Sequence, residues 1–464
     1  MRVFCQHQES NPSLTMALFR THIDVDLRGR LKNHFGVDLA SLAILSQSFE
    51  KHEHPDVHFA LENYVSQQGR SARLLGMIHQ GIFGTISLSD LLVPENPRFG
   101  RIMKEGPVKL VRIAVGDQVF SCVDSGVYLV NDGNDRLAIL LQASQDRLGE
   151  AGLKVEVMTA DKASAERLLV DLRNAMRRRS VFRGQVLSVA QRDPWKTLEV
   201  DFHRLPTISR ESIILPHGLL ERIERQTIEF GRHREQLRAA RRHLKRGILL
   251  HGPPGTGKTL TAMYLVSALK DRTVLLLTVR GLGAIEKACS LARTLEPSVM
   301  LIEDIDLVAE ERTRPGAACT TPLLFELLNE MDGLAEDMDV LFLLTTNRPD
   351  VLEPALAARP GRIDQAFEIP LPDAYCRRKL FELYSQGLKL QVSNLEPYIK
   401  RTKNAGGAFI RELLRKAALL AAGQDAEIVV EDQHLEEALH ELVIHGQEVT
   451  KSLLGFRSGP GPGD

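Results

Sequence analysis

Long apolar runs are missing from this chain. None approaches the ~20 residues that a membrane-crossing helix needs, so no membrane span is expected. Cysteine is scarce: Cys5, Cys122, Cys289, Cys319 and Cys376 are the only five in 464 residues. They are scattered and form no C-x-x-C pair. That argues against a disulfide framework or a zinc site, and for a reducing, cytoplasmic setting. An excess of either charge is also absent. Lys and Arg number 59 against 60 Asp and Glu, a net charge of −1, so no global field recruits nucleic acid or an acidic membrane. Aromatic residues make up 5% of the chain, and none interleaves with Arg177-Arg178-Arg179, where base stacking would require them. The opening Met1-Arg2-Val3-Phe4-Cys5-Gln6-His7 turns polar at once and lacks the core of a signal peptide.

What is there describes a globular protein, 43% hydrophobic and 26% charged, and long enough for about two to four domains. One stretch organises it. Gly252-Pro253-Pro254-Gly255-Thr256-Gly257-Lys258-Thr259 follows the apolar run Ile248-Leu249-Leu250 and precedes a helical pattern through Leu260, Tyr264, Leu265 and Leu269. Strand, glycine-rich loop and helix are the context that a phosphate-binding loop requires. Glycines let successive backbone N–H groups turn inward around a polyphosphate, and the helix adds its positive dipole end. Lys258 then reaches the β- and γ-phosphates, and the Thr259 hydroxyl ligates Mg²⁺. The eight loop residues, with Leu260 opening the helix, are the candidate ATP-binding residues.

Further buried strands follow. Val274–Val279 is one, and Val299–Ile302 is another that ends on Glu303-Asp304-Ile305-Asp306. Acids at the carboxyl end of a parallel strand lie where such sheets bind ligands. One can hold Mg²⁺ through water, and another can polarise the water that attacks the γ-phosphate. A third strand, Val340–Thr346, ends on Asn347, whose amide suits orienting that water.

Upstream the residues say less. A helical pattern of Leu18, Phe19, Ile23, Leu27, Leu31 and Phe35 follows Met16, which marks Met16 as an alternative start. His52, His54 and His58 cluster around Pro55; because proline breaks helical register, a solvated loop is expected there and not a metal site. Strand-like runs follow at 108–115, 118–123, 126–130, 137–141 and 154–158, with a turn signal at Asn131-Asp132-Gly133-Asn134. Residues 162–179 read as a helix with Ala165, Leu168, Leu169, Leu172, Ala175 and Met176 inward. The arginine-rich run 231–246 reads as a solvated helix face, with nucleic acid as the alternative.

These motifs resemble the AAA ATPases. The resemblance rests on GPPGTGKT, the acidic strand end, Leu327–Gly333, Thr345-Thr346-Asn347-Arg348-Pro349-Asp350 and Arg359-Pro360-Gly361-Arg362, and covers roughly 205–440. It implies an α/β fold: a five-stranded parallel sheet flanked by helices, then a small helical lid. It also implies a ring, usually of six subunits, with ATP at each junction. By this resemblance Glu303 serves Mg²⁺ with Thr259, Asp304 takes the general-base slot, and Asn347 matches sensor 1. Arg359 and Arg362 match the arginine fingers that reach a neighbour's γ-phosphate. Three departures accompany it. The acidic pair is Glu then Asp instead of Asp then Glu. The segment Pro354–Ala358 before Arg359 is one residue longer than usual. Arg280-Gly281-Leu282-Gly283, where polypeptide-threading relatives carry a pore aromatic, offers only Leu282.

The resulting layout is a mostly helical region at 1–95, an α+β domain at 96–200, the large ATPase domain at 201–372, a helical lid at 373–445 and a flexible tail at 446–464. The leading functional reading is an ATP-hydrolysing homo-oligomeric ring that remodels a protein client recruited by its N-terminal region. A slow nucleotide-gated scaffold is the second reading, favoured by the Glu303-Asp304 order and the missing aromatic. A nucleic-acid remodeller is the third.

Overall fold

The computed structural model describes residues 26–80, 87–92, 102–145, 151–191, 198–277, 284–306, 322–333, 338–350, 352, 363–423 and 427–442. Arg359, Arg362, Leu282, the stretch before residue 26 and the expected tail lie outside the described residues. The chain divides into two compact units, residues 1–113 with 119–176, and residues 114–118 with 177–464.

The first unit is built on an antiparallel sheet. Its strands are β1 (Ala43–Glu50), β2 (Arg70–Gln80), β3 (Ile102–Gly106), β4 (Lys109–Val115), β5 (Gln118–Asp132), β6 (Asp135–Gln145) and β7 (Ala151–Thr159). The order is β1-β7-β6-β5-β2-β3, with β4 paired to β5. Asp132 faces Asp135 across the β5–β6 hairpin, and Gly133 takes φ 61° in the turn, as the Asn-Asp-Gly-Asn signal implies. Alternation sends Leu137, Ile139, Leu141, Val155 and Val157 to one face. There they meet α2 (His54–Val65) and α3 (Lys162–Arg179) through Leu61, Leu168 and Leu172. Ala138, Leu140 and Met158 turn to the other face, against Leu27, Leu31 and Phe35 of α1 (Leu27–Phe35). Both faces are covered, so 137–141 reads as an unbroken apolar run.

One expectation is extended here and one corrected. Among the described residues before 95, the helices are joined by two strands, β1 and β2, which pair into the same sheet as later strands. The side chains of β1 are mostly only half buried, so its period-2 signal is weak. The histidines are not in a solvated loop. Pro55 stands in the first turn of α2, where a missing N–H costs nothing, so it starts the helix instead of breaking one. His54 and His58 are both buried on that helix. His54 Nε2 donates to the Val123 carbonyl at 2.8 Å, and Val123 N–H donates to His58 Nδ1 at 3.5 Å.

The second unit carries a sheet in the order β14-β10-β13-β12-β11-β8-β9. These strands are β8 (Val186–Gln191), β9 (Leu198–His203), β10 (Arg246–His251), β11 (Thr273–Leu277), β12 (Ser298–Ile302), β13 (Val340–Thr346) and β14 (Gln365–Glu368). The five parallel strands that the resemblance implies are β14, β10, β13, β12 and β11, of which β14 is not read from the residues. β8 extends them in parallel beside β11, and β9 turns back antiparallel. The boundary expected at 200 therefore falls too late: β8 belongs to this sheet, and the second unit takes in the chain from 177. One sheet face packs Leu275, Met300, Phe342 and Leu344, and the other packs Val274, Leu301, Leu341 and Leu343. Around them stand α4 (Lys258–Ala268), α5 (Ile285–Thr294) and α6 (Pro322–Asp332).

Residues 373–442 fold as α7 (Ala374–Tyr384), α8 (Glu396–Arg401), α9 (Gly407–Ala421) and α10 (Asp432–His440), with a short parallel pair Lys389–Gln391 and Val429–Glu431. Asp373 caps α7 by accepting from Cys376 N–H at 2.7 Å. Phe409, Leu413, Leu414 and Ala417 of α9 are buried at helical spacing against Leu380 and Leu435. The arginine-rich run lies on the short helices Phe230–Arg232 and Arg234–Ala239 and the turn after them, with Arg232, Arg238, Arg241 and Arg242 exposed. No described helix is long and apolar enough to cross a membrane.

The buried histidines make the stability of the first unit depend on pH. Burial lowers the pKa of His54, and takes that of His58 down to about 4. The folded unit therefore refuses protons that the unfolded chain accepts below its ordinary value of 6.5. The associated stability is present above that value and lost as pH falls toward about 4. Moving from pH 7.5 to about 5.5 should cost about 1–2 kcal/mol, read as a lower urea midpoint. His58→Gln should flatten that dependence, and an equal pH dependence in both proteins would contradict the assignment.

Candidate nucleotide site

The phosphate-binding loop takes its shape from its glycines. Gly252, Gly255 and Gly257 adopt φ 144°, 72° and 101°. A Cβ on Gly252 would lie 2.2 Å from the Ile369 carbonyl oxygen, so β14's continuation leaves room for glycine alone. Thr256 Oγ1 donates to the Pro253 carbonyl at 2.9 Å and braces the turn. The loop then enters α4, whose first residue, Lys258, is buried. Its Nζ donates to the carbonyls of Gly252 at 2.9 Å and Pro253 at 2.8 Å. Burial brings the Lys258 amine down to about 8, against the opposing pull of Asp304 and Asp306. A cation held this way gains by meeting an anion.

Three parallel strands bring the other candidates to the same edge. Glu303 follows β12 directly. Burial raises its carboxyl above the ordinary value; the bond from Thr259 opposes this, and the Asp304 charge adds to it. Its Oε1 is buried and has no hydrogen-bond partner among the described residues. An orphaned carboxylate oxygen beside the Thr259 hydroxyl suits a hard cation such as Mg²⁺, so the donor set fits that ion.

Asp304 adopts φ 46°, in the left-handed region. Asp tolerates that region better than most residues, which gives the Glu-then-Asp order a backbone reason. Its N–H donates to Thr345 Oγ1 at 3.0 Å, and its Oδ1 accepts from Asn347 Nδ2 at 3.0 Å. The structure thus brings Gly252–Leu260, Glu303, Asp304 and Asn347 together.

A cavity of about 1040 Å³ opens over this edge. The loop, Asp304 and Asn347 line one end. The rest of its lining includes the apolar Ile208, Leu215, Leu380 and Tyr384 together with the polar Ser212, Arg411 and Glu412. Two features escaped the sequence reading. Asp306 is buried, and its Oδ1 accepts from Thr346 Oγ1 at 2.8 Å and Asn347 N–H at 3.2 Å, fixing the turn that carries Asn347. The start of α9 docks on the loop: Ala408 N–H donates to the Gly255 carbonyl at 3.1 Å, and a Cβ on Gly406 would approach that oxygen to 2.8 Å. The Gly406-Gly407 pair was the available signal.

Asp306→Ala should leave the Thr346 hydroxyl and the Asn347 N–H without an acceptor and lower stability by about 1–3 kcal/mol. Asp306→Asn keeps an acceptor and should recover most of it. Equal denaturation midpoints for Asp306→Ala and wild type would contradict the role.

Comparison with known proteins follows the same edge of the sheet. Residues 248–371 match the family described as ATPase family associated with various cellular activities (AAA). The chain is 35% identical over 204 residues to a proteasome-activating nucleotidase of Methanopyrus kandleri, covering 41% of this chain and 46% of that one. It is 30% identical over 319 residues to the protein of the same name from Pyrococcus horikoshii, covering 62% and 78%. It is 33% identical over 231 residues to ATP-dependent zinc metalloprotease FtsH 4 of Sphaerobacter thermophilus, covering 47% and 35%. The chain thus spans under half the length of two of these relatives and more than two thirds of the third. Loop, acidic strand end and Asn347 converge on one cavity, and a relative matches across most of its own length: the chain belongs to the AAA family of ATPases.

Proposed function

We propose that this chain binds and hydrolyses ATP with Mg²⁺ in a homo-oligomeric, six-membered ring and uses the cycle to remodel a protein client. The observation that carries the reading is that Lys258, Thr259, Asp304 and Asn347 line a single cavity, with Glu303 bonded to Thr259 beside it. The polyphosphate lies against the loop N–H groups and the α4 N-terminus, and Lys258 exchanges its carbonyl partners for phosphate oxygens. Thr259 and Glu303 hold Mg²⁺, which when bound neutralises β- and γ-phosphate charge. Asp304 accepts the proton of the attacking water, and Asn347 orients that water. Arg359 and Arg362 act in trans on the neighbour's γ-phosphate. Relatives named for activating a proteasome or as an ATP-dependent metalloprotease support a protein client, recruited here by the first unit, and the scattered cysteines suit a cytoplasmic setting.

A second reading, the slow nucleotide-gated scaffold, draws on one observation. Asp304 Oδ1 accepts from the Asn347 amide and the residue lies on a left-handed backbone, a restraint on its carboxylate that suits slow turnover. Turnover separates the two: a rate that rises when client is added supports remodelling, and a constant slow rate supports the scaffold.

Lys258→Ala should weaken ATP binding at least tenfold, measured by titration calorimetry, because a buried phosphate partner is lost. Asp304→Asn should retain ATP binding and reduce turnover by about a hundredfold or more. Wild-type turnover in Asp304→Asn would remove Asp304 from the base role. Arg359→Ala and Arg362→Ala subunits should regain partial activity when mixed with subunits that supply the missing cation. Failure at every mixing ratio would count against action in trans.

A further inference from the structure

We propose that Arg210, Glu224 and Tyr264 form a clamp that positions the nucleoside end of the cavity, setting affinity for base and sugar without contributing to phosphate capture. The proposal rests on the ATP reading above. The phosphate loop lines one part of the cavity, so base and sugar fall to the lining away from it, the nucleoside end. Part of that end is the stretch 206–216, whose Ile208, Ser212, Ile213 and Leu215 line it. This stretch lies between β9 and the helix Leu219–Glu224, and its one regular piece is the short turn Arg210–Ser212. A coil without a ladder of its own holds one conformation only if something anchors it.

Ile213 is the apolar anchor. It is buried in the cluster that also holds Ala262 and Leu265 of α4. Arg210 is the polar anchor. Its Nε donates to Glu224 Oε1 at 2.9 Å and its Nη2 to Glu224 Oε2 at 2.9 Å, a two-pronged contact. Nη2 also donates to Glu221 Oε1 at 3.0 Å.

Glu224 has a further partner. Its Oε1 accepts from the Tyr264 hydroxyl at 2.5 Å. Tyr264 belongs to α4, the helix whose N-terminus carries Lys258. One carboxylate therefore ties the coil at the nucleoside end to the helix at the phosphate end. The Glu224 side chain is 15% exposed and the Arg210 side chain 46%, so the carboxylate is shielded while solvent still screens the guanidinium side of the pair. Burial works to raise its carboxyl, but the Arg210 and Tyr264 donors outweigh that and hold it below its ordinary value. The next residues, Arg225–Glu229, form a π-helical turn, a rare geometry that concentrates at functional sites. Glu303, Asp304 and Asn347 make their described bonds with Thr259, Thr345, Asp306 and one another, so the clamp is separate from the hydrolytic groups.

The test compares two probes on the full chain, ATP and inorganic tripolyphosphate, which has phosphates but no nucleoside. Glu224→Gln and Arg210→Ala should weaken ATP binding about tenfold, the loss expected for a charge-assisted bond, and leave tripolyphosphate binding unchanged. Tyr264→Phe, which keeps the ring and its packing, should shift ATP in the same direction by less. Turnover should show a raised KM with kcat near wild type. Unchanged ATP affinity in all three variants would overturn the proposal. So would an equal loss for both probes, since that reports general damage to the loop. Failure of the wild type to bind either probe would instead sink the ATP reading, and the clamp with it.

Discussion

The parallel register of β10, β13 and β12 is the constraint on which the site depends. His251 lies opposite Thr346, and Ile302 lies opposite Leu344. The residues that leave these strands next, Gly252, Asn347 and Glu303, therefore emerge at one edge. Both faces of the sheet are buried, and slipping one strand by a residue would exchange its two apolar sets, so packing locks the register. Two short contacts then turn a common edge into a site. Asp306 ties the β12 end to the β13 end, and the Ile369 N–H, donating to the His251 carbonyl at 2.7 Å, holds β14's continuation against Gly252.

How much of this was legible depended on whether the cause was local. The phosphate loop could be read because its glycine spacing, lysine and flanking patterns all lie within a dozen or so residues. The β12 acids and Asn347 could be read because each closely follows an apolar run. Asp306 was visible as a third acid, but its role needs Thr346, 40 positions away, and no local pattern reports that contact. The docking of Ala408 on Gly255 was hidden for the same reason. In the first unit, Pro55 was read as a breaker when its place in the first helical turn makes it a starter. β1 escaped because its half-polar face masks the alternation, and β8 was assigned to the wrong unit because its parallel partner, β11, comes 88 residues later, as Val186 opposite Val274 shows.

The catalytic end departs from its family in the order of the acidic pair, and the backbone supplies a physical account. The left-handed φ of 46° at 304 suits a short acid that can bond locally, and Asp304 does so through Thr345 and Asn347. Glu303 is half-buried next to Thr259, and its buried Oε1 has no hydrogen-bond partner among the described residues. The nucleoside end is organised differently. It has a coil pinned by one arginine and one isoleucine in place of a strand edge, and its geometry passes to α4 through Glu224 and Tyr264. Phosphate recognition thus rests on backbone and sheet, and nucleoside recognition on a side-chain network.

Hydrogen exchange of the full chain, with and without ATP and Mg²⁺, tests the central claim most directly. If a nucleotide spans the cavity from the loop to the coil, amides in 252–261 should slow strongly. Those in 206–216 and 303–306 should slow with them, while the sheet of the first unit exchanges unchanged. Exchange through 252–261 that is identical with and without nucleotide would contradict the account.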